Sequence, residues 1–124
     1  MKLNLIILTE ELTIVQLPPD KKIPNWVSGN FYSITRTEDE LSIVCNQDIV
    51  PKNIKANKGW RAFKILGPLD FSLVGILANL STILAKVNIS IFSISTYNTD
   101  YLLVKKENLK KATKTLESAG HNIK

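Results

Sequence analysis

Two short runs hold most of the residues that could do chemistry. Ser95-Thr96-Tyr97-Asn98-Thr99-Asp100 brings hydroxyls, an aromatic ring, an amide and one carboxylate together. Such a run can hydrogen-bond a polar ligand, with Asp100 pairing an ammonium or guanidinium. The same residue types also make an ordinary polar hairpin turn. The second run, from Gly67 to Ile76, leads from a predicted strand into a predicted helix. A helix start offers unpaired backbone N–H groups and the positive end of the helix dipole, and both suit a carboxylate. Gly75 falls in the expected first turn, where glycine costs about 1 kcal/mol relative to alanine. Close helix–strand packing accounts for it, as does close approach of a ligand or a partner backbone.

Enzyme chemistry is poorly supplied. His121 follows a helix-ending glycine near the C-terminus and reads as an exposed surface side chain. Cys45 alternates with apolar neighbours and reads as a small buried hydrophobe. One cysteine and one histidine make neither a disulfide framework nor a zinc site. There is no phosphate-binding glycine loop with a Gly-Lys-Ser/Thr ending and no nucleophile elbow. The expectation is a protein that is not an enzyme and uses no cofactor and no metal.

Composition bounds the rest. A chain of 124 residues, 44% hydrophobic and 22% charged, has a globular balance rather than a disordered one. Its net charge of +5 comes almost wholly from lysine, with Arg36 and Arg61 the only arginines. Nucleic-acid surfaces favour arginine for bidentate and stacking contacts, so the charge reads as a solvated lysine surface. No apolar run approaches the roughly 18–20 residues of a membrane span. Leu3–Leu8 is followed by Glu10 and Glu11 without a small-residue cleavage site, which makes it a strand rather than a signal peptide and points to the cytoplasm.

The elements that must position the two runs are clearest in the second half. Trp60–Leu66 reads as a strand. A helix with Leu73, Ile76, Leu77, Leu80, Ile83, Leu84 and Val87 on one face follows, capped by Asp70 or Ser72 and stopped at Asn88. Ile89–Thr96 and Tyr101–Lys105 read as strands. Glu107–Ala119 reads as a helix ended by Gly120, and His121–Lys124 as a possible last strand. In the first half, Leu3–Leu8, Leu12–Leu17, Phe31–Thr37 and Leu41–Cys45 read as strands. Ile23–Ser28 has room for two helical turns at most, and residues 51–58 read as an exposed connection.

The halves repeat. At an offset of 60 residues Tyr32–Val44 falls on Phe92–Val104, matching Ser33 with Ser93, Ile34 with Ile94 and Val44 with Val104, and setting Glu40 on Asp100. The shared grammar of strand, acidic turn and strand suggests two related modules. We expect an α+β chain of two ferredoxin-like βαββαβ modules, 1–58 and 59–124, each an antiparallel sheet with helices on one face.

The segments LGPLDFSLVGIL and ISIFSISTYNTDYLLV, within Gly59–Val104, resemble the ACT domain family, and in particular the tandem-ACT branch that includes the CASTOR arginine sensors. FYSITRTEDELSIV, Phe31–Val44, is similar to the N-terminal half of that family, which makes 1–58 a degenerate ACT-like module. The resemblance implies non-enzymatic regulation through a free amino acid held at a module interface. It implies ligand contacts from Leu73, Val74, Gly75, Ile76, Ser95, Thr96, Tyr97, Thr99 and Asp100. A homodimer is expected, as ACT sheets tend to pair, and because Leu3–Leu8 is an apolar strand that a monomer would have to protect. Two other roles are weighed. One is a purely structural or interaction module. The other is RNA binding, since Lys58-Gly59-Trp60-Arg61-Ala62-Phe63 has the basic–glycine–aromatic character of an RNA-recognition strand. Nucleic acid is disfavoured because Trp60 and Phe63, three apart, point to opposite faces of a strand.

Overall fold

Thr13–Leu17 alternates a buried side chain with a more exposed one, and such alternation drives much of the architecture. The computed structural model describes residues 2–66 and 74–124. They form two units, one of Met1–Thr9 with Arg61–Lys124 and one of Glu10–Trp60.

The unit Glu10–Trp60 contains β2 (Leu12–Leu17), β3 (Ser33–Arg36), β4 (Leu41–Asn46) and the first half of β5 (Ala56–Ile65). Its strand order is β3-β4-β2-β5 and every pairing is antiparallel. Val15 lies opposite Ile43 and Leu17 opposite Leu41. These four and Cys45 form a buried cluster, flanked by Trp26, Val27, Ile49, Val50 and Ile54. The segment Ile23–Ser28 makes turns instead of the short helix its apolar residues allow. Pro24 and the prolines at 18 and 19 leave too few residues to offset helix nucleation. Arg36 holds the stretch just before this segment, its guanidinium donating to the carbonyls of Pro19 and, at 2.8 Å, Lys21. Residues 56–58 belong to β5 and are no free connection. The strand continues through Gly59 because that residue adopts φ +83° while the pairing with β2 shifts register between Leu12 and Ile14. This is a β-bulge, which lets a strand run on where a turn signal suggests an end.

The other unit contains β1 (Asn4–Ile7), the rest of β5, α1 (Ile76–Ala85), β6 (Phe92–Ser95), β7 (Asp100–Lys105), α2 (Leu109–Ser118) and β8 (Asn122–Ile123). From β5 onward the order is βαββαβ. Its sheet runs β8-β1-β5-β7-β6. Leu5, Phe63 and Ile65 from the sheet meet Leu80 and Leu84 of α1 and Ala112 and Leu116 of α2 in one buried cluster. Both helices therefore cover the same face. Asn88 ends α1 in a left-handed conformation (φ 61°), and Gly120 follows α2 at φ +99°, as their sequence positions predict. Ala119 is exposed, so the buried face of α2 ends at Leu116.

The α+β fold is thus present, with both α-helices in one unit. The division near 58/59 also has an exception: β1 pairs antiparallel with β5 at Leu5 and Ile65 and parallel with β8 at Leu5 and Ile123. Leu3–Leu8 is consequently interior to its sheet. The need to protect an exposed apolar edge, which motivated the homodimer, does not arise at this strand.

Candidate functional site

The run Ser95–Asp100 forms the turn between β6 and β7. Ser95, the last residue of β6, lies opposite Asp100, the first of β7. The turn is closed by Thr96, whose N–H and Oγ1 each donate to the Thr99 carbonyl at 2.9 Å, while the Thr99 N–H donates back to Thr96 Oγ1 at 3.3 Å. Thr99 is buried, and its Oγ1 donates to the carbonyl of Ile65 at 2.7 Å. Ile65 is the last residue of β5. That bond sets the turn beside the strand end from which the chain departs toward α1. Tyr97, at the tip, is 82% exposed, and Asp100 is half-buried.

At the far end of that connection, Val74 is 84% exposed. Gly75 is the N-cap of α1, with φ 80° and ψ 3°, and no side chain caps the first turn. This differs from its expected place inside the helix: the left-handed conformation, easy for glycine, fixes the start one residue later. Ile76 is buried in the core beneath α1. Leu73 and the expected caps Asp70 and Ser72 lie outside the described residues. Of the nine expected ligand contacts, Ser95, Thr96, Tyr97, Asp100, Val74 and Gly75 have accessible surface, whereas Ile76 and Thr99 are taken up by packing and by the turn.

The repeat needs adjustment by one residue. Thr37 closes the β3–β4 turn with the bonds of Thr96: its N–H donates to the Glu40 carbonyl at 2.9 Å, and the Glu40 N–H donates to Thr37 Oγ1 at 3.2 Å. Glu40 therefore corresponds to Thr99, and Asp100 to the fully buried Leu41. An ungapped alignment on strand identities, at an offset of 60, misses this, because the two hairpins share one pairing register at an offset of 59, with Arg36 opposite Leu41 as Ser95 is opposite Asp100. The signal available in the sequence is the Thr-x-x-x pattern before each second strand.

His121 is buried rather than exposed. Its Nδ1 accepts the Leu3 N–H at 3.1 Å, so the proton resides on Nε2, which lies 3.2 Å from Asn79 Oδ1. Burial lowers its pKa below the ordinary histidine value, favouring the neutral ring. The ring joins β1, α1 and the start of β8 and is occupied by that task. Cys45 is buried as expected, and burial pushes its thiol up to about 11, far from a reactive thiolate. Among the described residues no cluster of three or more His, Cys, Asp or Glu could hold a metal, and no helix is long and apolar enough to cross a membrane. Trp60 and Phe63 are both buried, so neither offers a face for base stacking.

Comparison with known proteins bears on the family and the fold. The family model for the ACT domain matches residues 55–118, more than half of the chain. A second model, for an N-terminal domain, matches residues 10–53. The mouse cytosolic arginine sensor for mTORC1 subunit 1 is 33% identical over 94 residues, a match spanning 69% of this chain and 28% of the mouse protein. The chain thus spans less than a third of that relative's length. The crystal structure of an Agrobacterium tumefaciens protein matches all of this chain and 93% of its own at TM-score 0.95 and 39% identity. The ligand-free regulatory subunit of aspartate kinase from Thermus thermophilus shares the fold at TM-score 0.65 and 10% identity, over 93% of this chain and 95% of its own. With its model matching more than half of the chain, this chain belongs to the ACT domain family.

Proposed function

We propose that the chain is a non-enzymatic regulatory protein that binds a free amino acid, in the cytoplasm, through the β6–β7 turn and the start of α1. The observation that carries this is the Thr99–Ile65 hydrogen bond, which ties the exposed Tyr97 and the half-buried Asp100 to the end of β5, where the connection to α1 begins. The uncapped first turn of α1 supplies N–H donors and a positive dipole for the carboxylate. Asp100 supplies the anion for the ammonium or for a cationic side chain, a charge-assisted bond of about 1.5–3 kcal/mol. Arginine heads the candidates because the mouse relative is an arginine sensor.

A thermal-shift screen of the twenty amino acids tests this. A true ligand at a hundred times its Kd stabilises by about 2.7 kcal/mol. Asp100→Asn keeps the fold, since Asn serves a turn as well as Asp does. The substitution is expected to weaken binding about tenfold or more. Equal affinity of the two proteins by calorimetry overturns the role of Asp100, and a screen without a shift overturns the reading.

A further inference from the structure

A second concave surface lies wholly within the unit Glu10–Trp60. It is a groove of about 470 Å³ over β2, with Ile14 and Gln16 on its floor, Ser42 and Glu40 on the β4 side and Lys55 at the entrance to β5. That volume falls in the range of small-molecule sites. Gln16 stands at its centre. Its backbone N–H donates to the Lys55 carbonyl at 3.2 Å, it lies opposite Ser42 in the β2–β4 ladder, and its Nε2 donates to Glu40 Oε1 at 3.3 Å. Glu40 is half-buried, and its backbone, not its carboxylate, closes the turn with Thr37. The Gln16 amide orients the carboxylate and leaves it further acceptor sites, for a carboxylate has about four. β2 separates β4 from β5, so the backbones that carry Glu40 and Lys55 are about 10 Å apart at the usual strand spacing.

An anion on one wall, a cation on the other, and Ile14 beside the methylenes of Gln16 between them are complementary to one ligand shape. We infer that this groove is a second small-molecule site, for a linear zwitterion whose cationic end meets Glu40, whose carboxylate meets Lys55 and whose methylene stem crosses β2 over Ile14 and the methylenes of Gln16. It is independent of the amino-acid site proposed above and shares no residue with it.

Calorimetry with 6-aminohexanoate and glycine, on the full chain, tests the inference. The first spans both walls and binds, while the second has the same charges too close together and shows no heat at the same concentration. Glu40→Gln and Lys55→Met each weaken 6-aminohexanoate about tenfold, the worth of one charge-assisted bond. Asp100→Asn leaves its affinity unchanged. Equal binding of the two probes, no binding of either, an unaltered affinity in either groove variant, or loss of binding in Asp100→Asn overturns the inference.

Discussion

The β3–β4 and β6–β7 hairpins share one turn, closed by Thr37 in the first and Thr96 in the second with the same pattern of bonds. Each is followed by a short 3-10 turn, Gln47–Ile49 and Lys106–Asn108. They differ in what the fourth turn residue does. Glu40 directs its carboxylate to Gln16 at a groove, while Thr99 is buried and bonds to the end of β5. Their settings differ as well. The first hairpin belongs to a unit whose core is flanked by loop residues such as Trp26 and Ile54, the second to a unit covered by two helices. The backbone turn thus survives a complete change in the chemistry of its fourth position. In one hairpin that position is surface available for binding; in the other it is a structural bolt.

The sharpest way to break this comparison is to remove the two fourth-position groups. Thr99→Val leaves the Ile65 carbonyl without its donor and is expected to destabilise by about 1–3 kcal/mol. Glu40→Thr, on the surface, is expected to stay within about 0.5 kcal/mol. Urea denaturation of both variants decides it, and equal losses erase the distinction. Next is Gly75, which has no counterpart in the unit Glu10–Trp60, where no α-helix occurs among the described residues. At φ 80° an alanine is strained, so Gly75→Ala is expected to destabilise by about 1 kcal/mol. A gain in denaturation midpoint would show that the left-handed start is dispensable.

The smallest effect is the pH response, which again belongs to the helical unit. The pKa of His121 is lower in the folded chain than in the unfolded one, where it is about 6.5. Between those values the unfolded chain binds more protons. The stability contributed by the neutral ring is therefore full above about pH 6.5 and declines as pH falls through the folded value. A thermal melt series should show that decline in the parent protein and a weaker one in His121→Gln, and identical profiles would remove the assignment.

Much of this was legible in the residues. The apolar spacing of Leu80, Leu84, Ala112 and Leu116 marked both helices, and Asn88 and Gly120 marked their ends. β-branched runs marked the strands, and the Ser95–Asp100 run was found as a unit. Three features were not legible. The burial of His121 depends on Leu3 and Asn79, both distant in sequence, and no local pattern encodes such a meeting. The extension of β5 back to Ala56 depends on a bulge at Gly59, a residue that equally often signals a turn. The groove at Glu40 depends on three strands coming together, and its polar lining reads in sequence as ordinary surface.

The place of β1 has a consequence for how the chain acquires its structure. Leu5 pairs with Ile65 and Ile123, so both neighbours of β1 reach it only after the whole of Glu10–Trp60 has been looped aside. The β2–β4 and β6–β7 ladders close over short stretches of chain, and the entropic cost of closure rises with length. Topology therefore favours an order of events in which the hairpins and helices assemble first and the N-terminal segment arrives late, slotting between two strands already present. Contacts of such long range slow folding relative to an α+β domain whose strands are consecutive. Leu5 would then report completion of the fold, and the barrier to reaching the native state would be set by chain connectivity more than by the strength of any one interaction.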